Sequence, residues 1–229
     1  MMYVLEIYQS RQGEGIWTGQ PSVFVRFSRC PLYCRFCDTS YARQHTDESV
    51  VLTLEEILGR VMLFDVPHVV LTGGEPMLHG EIVELSQMLK TRNRHITIET
   101  SGIIYQPVEC DLMSICPKLG NSVPVASDLS IIEKHDRRRF RPDIVQQLLS
   151  QYTYQLKFVV DRKADFCEIE DYLAQLHGVV RERVFLMPQA VDAETIQQKK
   201  VWIEPYCQDK GYRFCPRMQL IWYGGKRRT

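Results

Sequence analysis

The chain has 229 residues, 45% of them hydrophobic, and its 28 lysines and arginines balance 28 aspartates and glutamates. That balance excludes a global field able to recruit nucleic acid or an acidic membrane, and the length suits one α/β domain with its own core. No apolar run approaches membrane-spanning length and the N-terminus lacks a basic-then-apolar signal, so the expected compartment is the cytoplasm. There, eight cysteines serve as metal ligands or free thiols rather than as disulfides.

Residues 2–8 alternate as a strand, and the glycine-rich Ser10–Gly15 stretch is a loop. Ser22–Ser28, β-branched and aromatic, is a strand that delivers the chain into a cysteine loop; residues 38–52 carry no clear pattern. Thr53 and Glu56 make a capping box, and Leu54, Ile57, Leu58 and Val61 mark the buried face of the helix behind it. His68–Thr72 is a short buried strand ending in Gly73-Gly-Glu-Pro76, followed by a helix over residues 80–92. His95–Thr100 and Asp111–Ile115 are strands, the second ending in Cys116-Pro117-Lys118. The basic stretch Lys134–Arg141 reads as a solvated connector rather than an RNA-binding surface. Helices then fall at Pro142–Tyr152, Phe166–His177 and 192–208, and strands at Tyr154–Val160 and Arg183–Met187. Alternation of this kind predicts a parallel sheet with helices outside. About six units fall short of the eight of a full barrel, so the expected fold is α/β, an open, partial parallel β/α barrel with ligand sites at the carboxyl ends of its strands.

The chemistry centres on Cys30-Pro-Leu-Tyr-Cys34-Arg-Phe-Cys37-Asp38, with three residues and then two between successive cysteines. A loop of that length can turn three thiolates toward one point, as a soft-metal site needs. Structural zinc takes four protein ligands, here requiring a remote partner such as His45, whereas a cubane iron–sulfur cluster on three cysteines leaves one iron free for an outside ligand. Cys110, Cys167, Cys207 and Cys215 have no close ligand spacing and read as free thiols, and His79 and His177 are given no role.

The cysteine spacing, with Phe36 before the last cysteine, resembles the signature of the radical S-adenosylmethionine (SAM) superfamily. That resemblance implies a 4Fe-4S cluster on Cys30, Cys34 and Cys37, with SAM chelating the open iron and cleaved to an adenosyl radical. It places Phe36 near the adenine and Gly73-Gly74-Glu75-Pro76 against the methionine part, with Glu75 accepting from its ammonium. Gln12-Gly13-Glu14-Gly15, Ser22–Arg26, Asp38-Thr39, Thr72–Pro76, Glu99–Gly102 and Cys116-Pro117-Lys118 together resemble the 7-carboxy-7-deazaguanine synthase family over most of the chain.

That family resemblance implies rearrangement of 6-carboxy-5,6,7,8-tetrahydropterin into 7-carboxy-7-deazaguanine, on the route to queuosine and related deazapurines. It implies pterin contacts at Gln12, Gly13, Glu14, Arg26 and Thr72, a Mg²⁺ ligand at Thr39, and SAM contacts at Gly74, Glu75, Cys116, Pro117 and Lys118. A homodimer, a flavodoxin-type electron donor and a single domain over residues 1–229, with an N-terminal substrate-binding extension and a C-terminal closing segment, are implied as well. The chemistry of the residues agrees: a pterin edge is a row of donors and acceptors, Arg26 can pair bidentately with a carboxylate, and Mg²⁺ takes oxygen ligands. The chain departs from the family pattern at Cys116, where serine is usual, at Arg29, where glycine is usual, and at Arg217-Met-Gln219, where a histidine is common. The alternatives are a glycyl-radical-enzyme activating enzyme acting on a protein partner, and a zinc-stabilised interaction domain.

Overall fold

A computed structural model describes residues 1–44, 46–125 and 128–228. Among them, nine strands form one sheet: β1 (Met2–Arg11), β2 (Pro21–Phe27), β3 (Val50–Leu52), β4 (His68–Gly73), β5 (His95–Thr100), β6 (Leu112–Ile115), β7 (Tyr154–Val160), β8 (Val184–Pro188) and β9 (Arg213–Phe214). Their spatial order is β3-β1-β2-β4-β5-β6-β7-β8-β9. From β2 through β9 every neighbouring pair is parallel, while β1 runs antiparallel to both β2 and β3. The six long parallel strands are the expected open barrel, extended at one edge by the β1–β3 ribbon and at the other by β9.

The helices are α1 (Tyr41–Gln44), α2 (Leu54–Met62), α3 (Ile82–Thr91), α4 (Leu129–Arg139), α5 (Pro142–Gln151), α6 (Asp165–Leu173), α7 (Ala193–Lys210) and α8 (Met218–Tyr223). The α2 start is set by the expected capping box: Thr53 Oγ1 accepts from Glu56 N at 3.2 Å and the Glu56 carboxylate accepts from Thr53 N at 2.8 Å. Ile57 and Val61 of α2, Leu85 and Leu89 of α3, and Leu148 of α5 join Val69, Leu71, Ile96 and Ile98 in the main core. Burial of that outer face holds the helices on the sheet.

The opposite face is polar. Arg26, Thr72, Glu99, Ser114 and Lys157, each from a different parallel strand, line one cavity. Because strand side chains alternate, one register gives both a dry outer face and a polar inner one.

Several expectations are corrected. β1 continues to Arg11, because its hairpin with β2 supplies ladder partners as far as Arg11 and Pro21. Within residues 38–52 lie α1, a 3₁₀ turn at Thr46–Glu48 and strand β3, whose three residues pair with β1. The stretch Lys134–Arg141 is not a connector: most of it belongs to α4, capped by Asp128, whose Oδ1 accepts from Ser130 N at 2.9 Å. The closing segment, without an expected element, contains β9 and α8. His45 lies outside the described residues.

Thr53→Ala removes one half of the capping box on a helix remote from the cavity. It is expected to lower stability by about 1 kcal/mol in urea unfolding, with ligand binding unchanged.

Candidate active site

β2 hands the chain directly to the cysteine loop, and the backbone fixes that loop against the end of β4. Gly74 N donates to Phe27 O and Glu75 N to Arg29 O, both at 2.9 Å. A side chain at Gly73 would collide with Phe27 backbone, and one at Gly74 with the Arg29 carbonyl; Gly73 also has φ +139°. Only glycine lets these two loops approach so closely. Arg29 itself sits at φ +72°, the left-handed region that glycine occupies without cost. Its N–H donates to Ala42 O at 2.8 Å and its guanidinium lies over the Tyr3 ring at 3.9 Å, contacts that compensate the backbone cost.

Cys30, Cys34 and Cys37 face one cavity of about 320 Å³, with Phe36, Gly74, Cys116 and Lys118 beside them. Burial pushes the Cys30 thiol up to about 12 and the Cys34 thiol to about 11, and the neighbouring sulfurs add to the shift. Thiols so placed stay protonated until a metal deprotonates them, and a soft metal centre does so outright. Among the described residues no three such side chains converge to hold a single metal ion. All three thiols border the same cavity, and three cysteines are the donor set of a cubane cluster with one open iron. Lys118 Nζ donates to Cys116 Sγ at 3.0 Å. Burial works against its charge, but the sulfurs of Cys116, Cys34 and Cys37 override this and keep the ammonium protonated.

Glu75 is not on the cavity wall. Fully buried, it accepts from Met77 N (3.2 Å), Thr100 Oγ1 (2.7 Å) and Ser101 N (2.8 Å), and also from Ser101 Oγ. Four donors fill the capacity of a carboxylate. In this arrangement Glu75 braces the β4 loop on the β5 loop instead of pointing at a ligand. Pro117 is likewise buried behind the wall.

The far end of the cavity holds the expected Gln12, Gly13, Glu14, Arg26 and Thr72, with Thr39 at the cysteine side. Gln12 Nε2 donates to Ser22 Oγ at 2.9 Å, fixing the loop on β2. Lys157, buried on β7, donates to Glu14 Oε2 at 2.9 Å and Glu99 Oε1 at 3.1 Å, and Thr72 Oγ1 donates to Glu99 Oε2 at 2.9 Å. Burial would raise the Glu14 carboxyl; the charges of Lys157 and Arg217 outweigh it and hold Glu14 well below the usual carboxylate range. For Lys157, burial opposes the charge, and Glu14 and Glu99 reverse the balance so that the ammonium stays protonated.

The closing segment completes this end. Met218 N donates to Gly13 O at 2.8 Å, and Gln219 Nε2 donates to Glu14 Oε1 at 2.7 Å. Arg217 spans Asp38 Oδ2 (2.7 Å), Ala190 O (2.9 Å) and Glu14 Oε1 (3.4 Å). Gln219 Oε1 is buried without a hydrogen-bond partner. An orphaned acceptor in a cavity wall has a cost that a ligand donor would remove.

Arg26 donates to Glu6 Oε1 at 2.7 Å and to Tyr8 Oη at 2.9 Å. Glu6 also takes Arg227 Nε and Arg228 Nε, each at 3.2 Å, and Tyr41 Oη at 3.0 Å. Arg227 also pairs with Glu48 Oε2 at 2.9 Å, so three guanidiniums meet two carboxylates and one positive charge is left over at the cavity margin.

A model of the Radical SAM superfamily matches residues 24–123, the span holding the three cysteines and the Gly73-Gly74 loop. The 7-carboxy-7-deazaguanine synthase of Rhodopirellula baltica is 41% identical over 230 residues, covering 100% of this chain and 89% of that protein. The chain belongs to the 7-carboxy-7-deazaguanine synthase family. The namesake from Halobacterium salinarum is 36% identical and covers 95% of this chain and 89% of its own. The crystal structure of QueE from Escherichia coli matches the fold with a TM-score of 0.68 at 23% identity, covering 93% of this chain and 92% of that one. The activating-enzyme alternative finds no support among these relatives.

The sequence assigns no site role to Lys157, Gln219, Arg227 or His135. Lys157 did carry a signal: with Gln155 it recurs at period two inside the otherwise apolar strand Tyr154–Val160, and a lysine inside a buried strand needs a partner. Lys157→Met would leave Glu14 and Glu99 facing each other without their cation. The expected cost is about 3–5 kcal/mol of stability at pH 7.5. Glu14 loses a lowering charge in the variant, so the deficit should shrink as pH falls toward 5 and its carboxyl protonates; thermal melts at the two pH values measure this.

His135, fully buried on α4, holds the cysteine loop from behind. Its Nδ1 accepts from Tyr33 N at 2.9 Å, so the neutral ring donates from Nε2 to Ser122 Oγ at 3.0 Å. Burial, helped by the Arg139 charge, pulls its pKa from 6.5 down to about 4. An unfolded chain therefore binds a proton there before the folded one does, and the stabilisation is complete above pH 6.5 and declines as pH falls toward 4. His135→Gln is expected to melt below the wild type at pH 7.5, and the gap should narrow across that window.

Proposed function

We propose that this protein converts 6-carboxy-5,6,7,8-tetrahydropterin into 7-carboxy-7-deazaguanine with loss of ammonia, as a radical SAM enzyme of deazapurine biosynthesis. One observation carries the reading: a single cavity joins the thiols of Cys30, Cys34 and Cys37 at one end to a line of paired charges at the other. Cys30, Cys34 and Cys37 would hold the 4Fe-4S cluster, and Phe36, Gly74, Cys116 and Lys118 the SAM beside it, with Glu75 and Pro117 supporting that wall from behind. When bound, these groups supply a carbon-centred radical, the hard step that no side chain can perform.

The residues of the chain do the rest by binding, orienting and excluding water. Glu14, held ionised by Lys157 and Arg217, accepts from the amino and ring N–H groups of a pterin, and the orphaned Gln219 Oε1 adds a second acceptor. Thr72 and Glu99 set the face of the ring nearest the thiols. Arg26, with Arg227 and Arg228, meets the substrate carboxylate; the charge excess over Glu6 supports this end of the cavity for an anion. The Thr39 hydroxyl, 3.8 Å from Cys37 Sγ, lies where it can join substrate oxygens around Mg²⁺. The α8 segment, fastened to Gly13 and Glu14, roofs the site against solvent. A homodimer, a flavodoxin-type donor and a cytoplasmic site of action complete the proposal. No helix among the described residues is long and apolar enough to cross a membrane.

The test is anaerobically reconstituted protein with dithionite, SAM and 6-carboxytetrahydropterin, with and without Mg²⁺, followed by mass. The expected outcome is 7-carboxy-7-deazaguanine formed without stoichiometric loss of SAM and faster with Mg²⁺. SAM cleavage with no deazapurine would refute the substrate, and a rate indifferent to Mg²⁺ would remove the Thr39 assignment.

A further inference from the structure

Helix α4 has two faces, and the function described above uses neither. Its inner face is bolted to the cysteine loop. His135 accepts from Tyr33 N, Arg138 Nη1 donates to Pro31 O at 3.2 Å, and Arg139 Nη1 donates to Lys118 O at 3.1 Å. Arg35 N, from between the second and third cysteines, donates to Ser122 O at 2.9 Å, the residue that also meets His135. The loop and the helix thus form one continuous wall.

The outer face is exposed and basic. Lys134 and Arg137 are exposed and make no ion pair among the described residues, and Arg138 is exposed beside them. The Arg35 side chain projects from the loop at 45% exposure, and Arg43 lies over the Tyr33 ring at 4.5 Å. Of the acids nearby, Asp136 is paired with Arg139 at 2.7 Å and Asp161 with both Arg35 (2.9 Å) and Lys199 (2.7 Å), leaving Glu133 and the capping Asp128, whose charge Lys134 feels. In a chain of zero net charge, a positive patch over the one loop that carries three clustered thiols is a local asymmetry that the fold does not require.

We propose that the outer face of α4, with Arg35, is the docking surface for an acidic one-electron donor protein of flavodoxin type. The inference rests on the reading that Cys30, Cys34 and Cys37 hold a cluster that must be reduced. The step is balanced: the donor's reduced flavin loses one electron, the cluster site gains it, and no bond is made or broken. Basic charge on a helix bonded directly to the cysteine loop raises the local concentration of an acidic donor and orients it against that loop. RNA, the other polyanion such a patch could meet, would leave the rate of reduction untouched.

Lys134→Glu/Arg137→Glu tests the proposal, since neither side chain makes a hydrogen bond or close ion pair among the described residues, and Arg60→Glu on α2 with Arg92→Glu just after α3 makes the same charge change elsewhere. Stopped-flow absorbance would follow cluster bleaching in the reconstituted protein by reduced flavodoxin and, separately, by dithionite. The expected result is a fall of about tenfold or more in the second-order rate with flavodoxin at low ionic strength. It should appear in the α4 variant only, shrink in high salt, and leave reduction by dithionite unchanged. An unchanged flavodoxin rate, or an equal fall in the control variant, would overturn the proposal. An equal fall with dithionite would overturn it too, by tracing the effect to the cluster loop instead of to docking. Absence of any bleachable cluster in the wild type would instead refute the reading beneath it.

Discussion

The ammonium of Lys157 is the charge on which the substrate end of this molecule depends. It is buried between Glu14 from the N-terminal loop and Glu99 from β5, and with Arg217 it holds Glu14 ionised against burial. Through Glu14 it reaches Gln219 and Arg217, and through Arg217 it reaches Asp38 beside the last cysteine. One cation thereby fixes the relative positions of four segments distant in sequence. Buried pairs of this kind contribute little net stability, because desolvation offsets attraction. Their retention is better explained by what they position, a row of acceptors and donors held ready for a polar heterocycle.

The other end of the cavity is organised by backbone. Gly73 and Gly74 let the end of β4 pair with the chain entering the cysteine loop, and Glu75 anchors the next turn to Thr100 and Ser101. α4 closes the arrangement from outside through His135. Soft sulfur and hard oxygen chemistry thus share a cavity but not a support. Arg217 links the two ends, joining Glu14 of the charged row to Asp38 beside Cys37.

Much of this was legible in the sequence. The strand–helix alternation gave the parallel sheet, Thr53 and Glu56 the start of α2, and the three-then-two cysteine spacing the chemical centre. Motif residues were also placed in one cavity, apart from Glu75 and Pro117. Glu75 was read as a ligand contact because a carboxylate beside two glycines has no visible partner in sequence; its four donors come from residues up to 26 positions away. The departure at Arg217-Met-Gln219, where a histidine is common, gives no hint that the closing segment reaches Glu14, since that contact spans 205 residues. α4 was missed because six charges in eight residues mask a helix whose one buried anchor is His135. Arg29 in place of glycine is a local anomaly in the sequence, and its tolerance shows in the Ala42 carbonyl and the Tyr3 ring that meet it in space.

The most direct measurement of the central claim is an anaerobic crystal structure of the reconstituted protein with SAM and 6-carboxytetrahydropterin. The account requires iron on Cys30, Cys34 and Cys37, and the pterin lying between Arg26 and Lys157 with its amino edge on Glu14. A pterin bound elsewhere, or a cysteine loop closed around a single tetrahedral zinc, would contradict it.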